Sequence, residues 1–294
     1  MLFRYLDPKN DLAFKKVFGQ EKHKRIPIAF LNAVFGLKGP DEITDLEFLN
    51  TLQPPEIEAR KESIVDVLVR DQKGSKYIVE MQVAKIEGFE KRAQFYAAKT
   101  YCTHFNAGNP YEDLNKVIFL AITSYVVFPG KQHHKSDHVI LDNKTYEHDL
   151  KDFSFTFVEL PKFTKEIHEL ETLEDKWYYF LKHAEESGEV DASLASNAEI
   201  SEAYHVLDKT FWTEPELQEY ERVAMAIADA KGAIVAAKKE GHQEGLQEGL
   251  EKGIQEGERK AQLALAANLR SKQFSLEQIA ELTGLSMDVL QGLK

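Results

Sequence analysis

Apolar and polar positions follow different patterns in the two parts of the chain. Up to about Ser187, helical spacing alternates with extended runs that are rich in β-branched residues. Beyond that point Ala, Glu and Lys dominate, β-branched residues become sparse, and the pattern is helical. Helices interspersed with strands predict an α/β (α+β) core with a mixed sheet, followed by a helical tail.

The first part contains the elements of such a core. Asp11, Phe14 and Phe18 follow helix spacing, and Gly19 bounds this first helix. The run that starts at Asn115 is apolar nearly throughout, which is typical of a strand covered on both faces. The other predicted helices are residues 26–35, 88–104 and 173–184, and the predicted strands outside the hairpin described next are 46–52, 115–128, 137–141 and 153–160.

The clearest pair of strands is a hairpin. Residues 63–70 and 76–83 are rich in β-branched residues, and the turn between them contains Gly74. We therefore expect Arg70 to pair with Lys76 beside the turn, which sets the register of the two strands.

That register brings two carboxylates together. It places Asp66 opposite Glu80 and Ile64 opposite Gln82, with the Cβ atoms of opposed residues about 5 Å apart. Two carboxylates among apolar residues repel each other and are costly to desolvate unless a cation lies between them. Such sites suit Mg²⁺ or Mn²⁺, which polarise a phosphoryl oxygen and activate water for phosphodiester hydrolysis. Two interpretations stay open: a metal site, or two solvated acids on the outer face of an amphipathic sheet.

Net charge and cysteine content exclude several classes of protein and of site. Of the 294 residues, 49 are acidic and 37 are basic, so the formal net charge is −12. A protein that coats nucleic acid without specificity needs Lys and Arg to neutralise phosphates, and this class is excluded. Cys102 is the only cysteine, which excludes a disulfide framework and a thiolate zinc site, and we expect it to be a small buried residue. An apolar signal segment and a run of about 18 apolar residues are both missing, so we predict a cytoplasmic protein.

Three motifs resemble one nuclease superfamily. They are Asp66 followed after thirteen residues by Glu80-Met81-Gln82, the opening Asp7-Pro-x-Asn-Asp11-x-x-Phe14-Lys-x-x-Phe18, and Arg92-x-x-x-Tyr96. The chain resembles the PD-(D/E)XK nuclease superfamily, and within it the Rpn-like recombination-promoting nuclease and transposase family. The resemblance implies a restriction-endonuclease-like core with a mixed central sheet flanked by helices. It also implies a metal-dependent DNA endonuclease that acts in recombination, mobile-element traffic or defence.

The resemblance assigns roles to six residues. Asp66 and Glu80 would be the ligands of Mg²⁺ or Mn²⁺, and Gln82 stands where the superfamily usually has Lys. Asp11 would add a carboxylate from the first helix, or would be an acid favoured by the helix dipole. The remaining pair, Arg92 and Tyr96, would contact a phosphate and support the site, or would form a packed helix face.

The tail contains a glycine repeat with a period of four residues. The glycines, which would lie near one face of a helix, are Gly241, Gly245, Gly249, Gly253 and Gly257. Each interior glycine costs about 1 kcal/mol relative to alanine, so five would destabilise an isolated helix by roughly 5 kcal/mol. Either a partner helix packs against the stripe in a homo-oligomer, or the segment is a flexible connector. We favour the homo-oligomer.

The end of the chain has the outline of a helix-turn-helix. Ser275 is an expected N-cap with Gln278 three residues on, and Gly284 lies in the turn. The second helix starts with Met287 and Asp288 rather than Arg or Lys, which disfavours base contacts and favours protein contacts. The predicted domains are a nuclease-like domain over residues 1–187, a helical extension over 188–258 and a helical hairpin over 259–294.

A second class of function competes with the nuclease. Gln82 and the acidic surface keep open a catalytically weak or inactive nuclease-fold protein that acts as an oligomeric interaction or scaffold module. Lys15, Lys16 and residues 22–25 form a basic stretch near the proposed site. That stretch either guides a phosphate backbone or is a solvated helix face.

Overall fold

The structure is a computed structural model that describes residues 4–53, 63–103 and 110–292. The helices are α1 (Asp11–Phe18), α2 (Arg25–Phe35), α3 (Phe89–Cys102), α4 (Leu173–His183), α5 (Ala192–Ala195), α6 (Ala198–Leu207), α7 (Glu214–Ser271), α8 (Leu276–Thr283) and α9 (Met287–Gly292). The strands are β1 (Leu46–Phe48), β2 (Leu52–Gln53), β3 (Ser63–Ile64), β4 (Val67–Asp71), β5 (Lys76–Gln82), β6 (Val117–Thr123), β7 (Lys135–Val139) and β8 (Phe153–Glu159).

Six of these strands form one mixed sheet in the order β1-β4-β5-β6-β8-β7. Strands β5, β6 and β8 run parallel, and β1, β4 and β7 complete the two sides with antiparallel pairs. Every residue of β6 is buried, because helices cover both faces of a central parallel strand. The mixed α/β core predicted from the sequence is confirmed.

Helices pack on both faces of this sheet. On one face, Phe14 and Phe18 of α1 join a buried cluster with Val67 and Val79 of the hairpin, to which α2, α4 and α6 also contribute. On the other face, α3 packs against Leu68 and the apolar side chains of β6. Both α1 and α3 therefore lie beside the hairpin, one above it and one below it.

The hairpin has the predicted register at its turn. Arg70 pairs with Lys76 and Val67 pairs with Val79. Gly74 takes a φ of 90°, and a Cβ there would lie 2.5 Å from a side-chain oxygen of Asn115, so the turn requires glycine at this position.

The first strand of the hairpin is shorter than predicted. The ladder ends at Val67, and Asp66 lies in a bend between β3 and β4. Ile64 pairs with Leu52 of β2, so the predicted Ile64–Gln82 pair is wrong. The cause is local: the Asp66 carboxylate takes the amide hydrogen of Met81, which a continuous strand would have used in its ladder.

Two further predictions are corrected. The strand predicted over 115–128 ends at Thr123, since the buried Glu159 carboxylate accepts the amides of Val127 and Phe128 and holds that stretch as a loop. Cys102, expected to be buried, is exposed at the end of α3 because it faces away from the sheet. The last residue of the helix predicted over 88–104, His104, lies outside the described residues.

Packing divides the chain into two units, Met1–Asp229 and Ala230–Lys294. Residues beyond 187 add to the core of the first unit, among them Leu194, Ile200 and Tyr204. In the second unit a small cluster is formed by Ala266, Ile279 and Leu290. The three-segment organisation stated above stays a prediction.

The second unit shows the predicted caps and a continuous helix. Ser275 and Gln278 form a capping box, and Gly284 ends α8 with a φ of 70°. The glycine stripe lies inside the 58-residue helix α7, and apart from adjoining residues and the helix's own backbone no described atom lies within 4 Å of the Cβ position at any of its glycines. None of the helices in the described part of the chain is long and apolar enough to cross a membrane.

Candidate active site

Asp66 and Glu80 meet where β4 begins and β5 approaches its end. The amide of Asp66 donates to Glu80 Oε1 at 3.2 Å, and the amide of Met81 donates to Asp66 Oδ2 at 2.8 Å. These reciprocal bonds replace the ladder that the bend at Asp66 interrupts. The two acids are therefore neighbours, as the register predicts, although Asp66 is not itself in the strand.

Burial and like charge destabilise the ionised form of both acids. Glu80 is 2 % exposed, and the side chain of Asp66 is 15 % exposed. Burial, and after it the negative charge of Asp66, raises the pKa of Glu80. Burial also raises the pKa of Asp66, with the nearby charge of Asp11 acting in the same direction. Burial is the main cause of both shifts, and a neighbouring carboxylate acts in the same direction on each acid.

Gln82 is two residues beyond Glu80 on β5, so the two side chains lie on the same face of the strand. Its Nε2 donates to Glu80 Oε2 at 3.1 Å, so the amide orients this carboxylate. Being neutral, the Gln82 side chain adds no positive charge to the site.

Helix α3 brings Arg92 and Tyr96 close to the carboxylate of Glu80. Gly88, with a φ of 72°, precedes the helix and sets its start. An Nη atom of Arg92 lies 3.8 Å from Glu80 Oε2. The guanidinium carbon lies 5.1 Å from the ring centroid of Phe89 and 5.7 Å from that of Tyr96, which holds the group beside the aromatic rings. Burial raises the pKa of Tyr96, with the carboxylate of Glu80 adding to the effect.

Helix α1 contributes the predicted Asp11 and also Lys15, for which the sequence predicted only a place in a basic stretch near the site. Lys15 Nζ lies 2.8 Å from Asp11 Oδ1 and 3.8 Å from Asp66 Oδ1. The spacing of four residues between Asp11 and Lys15 predicts their pairing. Only the packing of α1 on the sheet brings that pair to Asp66, and no local pattern contains this information.

Two other lysines of the basic stretch, Lys16 and Lys24, are engaged elsewhere. Lys16 forms an ion pair with Glu216 at 2.6 Å and lies over the ring of Trp212 at 3.8 Å. Lys24 pairs with Glu21 and Asp45. Lys15 is the residue of the stretch that is close to Asp66 and within electrostatic reach of Glu80.

The donor set at the site fits a hard divalent cation. Two carboxylate side chains converge, one of them almost fully buried, and their repulsion is relieved when a cation binds between them. Asp66 and Glu80 would hold Mg²⁺ or Mn²⁺, and the amide oxygen of Gln82 is not used in its bond to Glu80. Groups of three or more His, Cys, Asp or Glu that could hold a metal ion do not occur within residues 4–53, 63–103 and 110–292.

The fold and the site together define a class of protein. A mixed sheet with helices on both faces and two convergent carboxylates on a hairpin is the arrangement of a PD-(D/E)XK nuclease. The family model described as PD-(D/E)XK nuclease family transposase matches residues 8–237, and the chain belongs to this family. No curated protein and no solved structure matches the chain.

Membership confirms the superfamily that the motifs indicate. The matched range contains Asp11, Asp66, Glu80, Gln82, Arg92 and Tyr96. The chain therefore has a nuclease- or transposase-like function of the hydrolase class, and the family implies DNA as its substrate.

Proposed function

We propose that the chain is a metal-dependent DNA endonuclease that hydrolyses phosphodiester bonds with Mg²⁺ or Mn²⁺. The observation that carries the proposal is the convergence of the half-buried Asp66 and the buried Glu80, which are joined through the amide of Asp66. Acids placed in this way destabilise the protein in the absence of a cation, and a role in binding one explains their position.

The metal ion, when bound, polarises the scissile phosphate and activates water. Asp66 and Glu80 would bind the ion, and Gln82 holds the Glu80 carboxylate in its orientation through the 3.1 Å hydrogen bond. Arg92 partly balances the charge of Glu80 and is directed by the rings of Phe89 and Tyr96. Asp11 is a supporting residue that acts through Lys15 and Asp66.

The test is nicking of supercoiled plasmid DNA with Mg²⁺ or Mn²⁺ by wild type, Asp66→Ala and Glu80→Ala. We expect cleavage by the wild type and its loss in both variants, together with loss of metal-induced thermal stabilisation in Asp66→Ala. Asp149→Asn, which changes an exposed acid outside the site, is the matched control and should cleave like wild type. Cleavage that survives both alanine substitutions would contradict the site assignment.

A second function is favoured by one observation. Gln82 is neutral, and a protein without enough positive charge at the scissile phosphate would be a weak nuclease or a scaffold that retains the fold. Thermal stabilisation by Mn²⁺ without plasmid cleavage would identify this alternative. RNA as the substrate is a further outcome, checked with a single-stranded RNA in the same assay.

We also propose that α7 assembles copies of the chain. Beside the glycine stripe, Leu246, Leu250 and Ile254 are 68 %, 64 % and 53 % exposed, and burying each would contribute about 1.5–3 kcal/mol. A second copy that packs on this surface offsets the cost of the glycines. Pairing of two active sites permits double-strand cleavage, which suits recombination, mobile-element traffic or defence within the cytoplasm.

The oligomer has its own test. Light scattering after size-exclusion chromatography should show an oligomer for wild type and a smaller species for the triple variant L246S/L250S/I254S. Val235→Ser, which changes another exposed apolar residue of α7 (67 % exposed), is the matched control. An unchanged mass for the triple variant would refute assembly through this surface.

A further inference from the structure

We propose that Lys15 of helix α1 is a catalytic residue, whose ammonium group supplies the positive charge that the neutral Gln82 does not. It would donate a hydrogen bond to a non-bridging oxygen of the scissile phosphate. This inference rests on the proposed nuclease function and assigns a further residue to the same site.

The position of Lys15 is the first argument. Its Nζ lies 2.8 Å from Asp11 Oδ1 and 3.8 Å from Asp66 Oδ1, and the charge of Glu80 is also within its electrostatic reach. The side chain is 36 % exposed, so the ammonium group borders solvent, from which a DNA strand would approach. An ordinary ion pair on a helix needs one acid at the i,i+4 position, whereas Lys15 faces three acids.

The second argument is that the positive charge of Arg92 is directed at Glu80 rather than shared equally between the two acids. Its Nη atom is directed at Glu80, at 3.8 Å, and its Nε is buried without a hydrogen-bond partner among the described residues. The guanidinium group is held beside the Phe89 and Tyr96 rings. Lys15 approaches from α1, on the opposite face of the sheet, and is the cation beside Asp66.

The reaction defines what this charge does. Water oxygen forms a bond to phosphorus, the bond from phosphorus to the leaving oxygen breaks, one water proton passes to solvent, and the leaving oxygen takes a proton from solvent. Negative charge increases on the phosphoryl oxygens as these bonds change. Lys15 keeps its proton throughout and stabilises that charge through its hydrogen bond, which is why its removal would lower the rate.

A positive charge beside the acids has a second consequence that a purely structural residue would not show. Lys15 repels a divalent ion held by Asp66 and Glu80, so Lys15→Gln should bind Mn²⁺ about 3- to 10-fold more tightly than wild type. The same variant should lose cleavage by about 100-fold or more, because one donor to the transition state is missing. Lys15→Arg keeps the charge, so its Mn²⁺ affinity should stay near wild type and its cleavage should partly recover.

The experiment combines Mn²⁺ titration calorimetry with single-turnover cleavage of a duplex oligonucleotide. Lys144→Gln, which removes an exposed positive charge outside the site, is the matched control and should leave both measurements unchanged. Asp11→Asn removes the helical partner of Lys15, so a role limited to that ion pair predicts that Asp11→Asn and Lys15→Gln behave alike.

The outcomes separate this inference from the function on which it rests. Tighter Mn²⁺ binding together with slower cleavage in Lys15→Gln supports it. If the wild type cleaves and Lys15→Gln cleaves within threefold of it, the role of Lys15 is overturned while the nuclease function stands. A wild type that cleaves neither DNA nor RNA with any divalent ion overturns the nuclease function itself.

Discussion

Two aspartates lie at the two ends of strand β4, and their surroundings are opposite. At the turn, the carboxylate of Asp71 accepts hydrogen bonds from the amides of Lys73 and Ser75, both at 2.9 Å, and from the hydroxyl of Tyr77 at 3.1 Å. At the other end, Asp66 accepts an amide hydrogen of the neighbouring strand and adjoins a second buried carboxylate.

The difference separates a structural acid from a functional one. Neutral donors surround Asp71 and satisfy its charge without needing any ligand, so it stabilises the turn. Asp66 has a like charge as its neighbour, and its ionised form gains most when a cation binds. The same residue type thus serves stability at one end of β4 and proposed chemistry just before its other end.

The largest expected effect is a loss of catalysis when Asp66 is substituted. Asp66→Asn keeps the size of the side chain but replaces a charged metal ligand with a neutral amide, so the single-turnover cleavage rate should fall by about 1000-fold or more. Asp71→Asn should cleave within threefold of wild type per folded molecule, as active-site titration would show. Similar losses in both variants would mean that the two ends do not differ in function.

The next effect is a loss of folding stability when Asp71 is substituted. Asp71→Ala removes the acceptor of three hydrogen bonds and should lower the free energy of unfolding by about 2–3 kcal/mol in urea denaturation. Tyr77→Phe removes one of those bonds and should cost about 1 kcal/mol. A loss at Asp71 no larger than that at Tyr77 would show that the two amide bonds contribute little.

The smallest expected effect is on how the free energy of unfolding depends on pH, and it sharpens the contrast between Asp66 and Asp71. Because the pKa of Asp66 is raised in the folded protein, the folded state holds its proton more tightly than the unfolded state. Without metal, the free energy of unfolding should therefore decrease as pH rises from the ordinary aspartate value to the raised one. Asp66→Asn should reduce this dependence in urea titrations between pH 4 and 8 and leave the part that comes from the raised pKa of Glu80, and Mn²⁺ should reverse it in the wild type. An equally steep decrease in Asp66→Asn would assign the dependence to another group.

Part of this contrast could be predicted from the sequence. Turn chemistry at Gly74 fixes the pairing of Arg70 with Lys76, and the register then places Asp66 near Glu80. The bend at Asp66 could not be predicted, because strand propensity does not include a carboxylate that competes for the amide of Met81.

Tertiary packing decided the remainder. Lys15 reaches Asp66 only because α1 docks on the sheet through Phe14 and Phe18, and helix periodicity shows which face of α1 is apolar but not which strand it meets. Cys102 is apolar enough to be buried, yet its position on α3 faces solvent. Local patterns thus specified the elements and their order, while the neighbours of each side chain followed from how those elements pack.

Two backbone amides of the hairpin donate hydrogen bonds to the carboxylates that are proposed to bind the ion, so ion binding should change the surroundings of these amides. The amide hydrogens of Asp66 and Met81 donate to carboxylate oxygens rather than to a ladder. An ion that draws on those oxygens must weaken or re-aim both bonds. The proton resonances of these two amides, and the rates at which they exchange with deuterium, therefore report ion binding at the site even when no nucleic acid is cut.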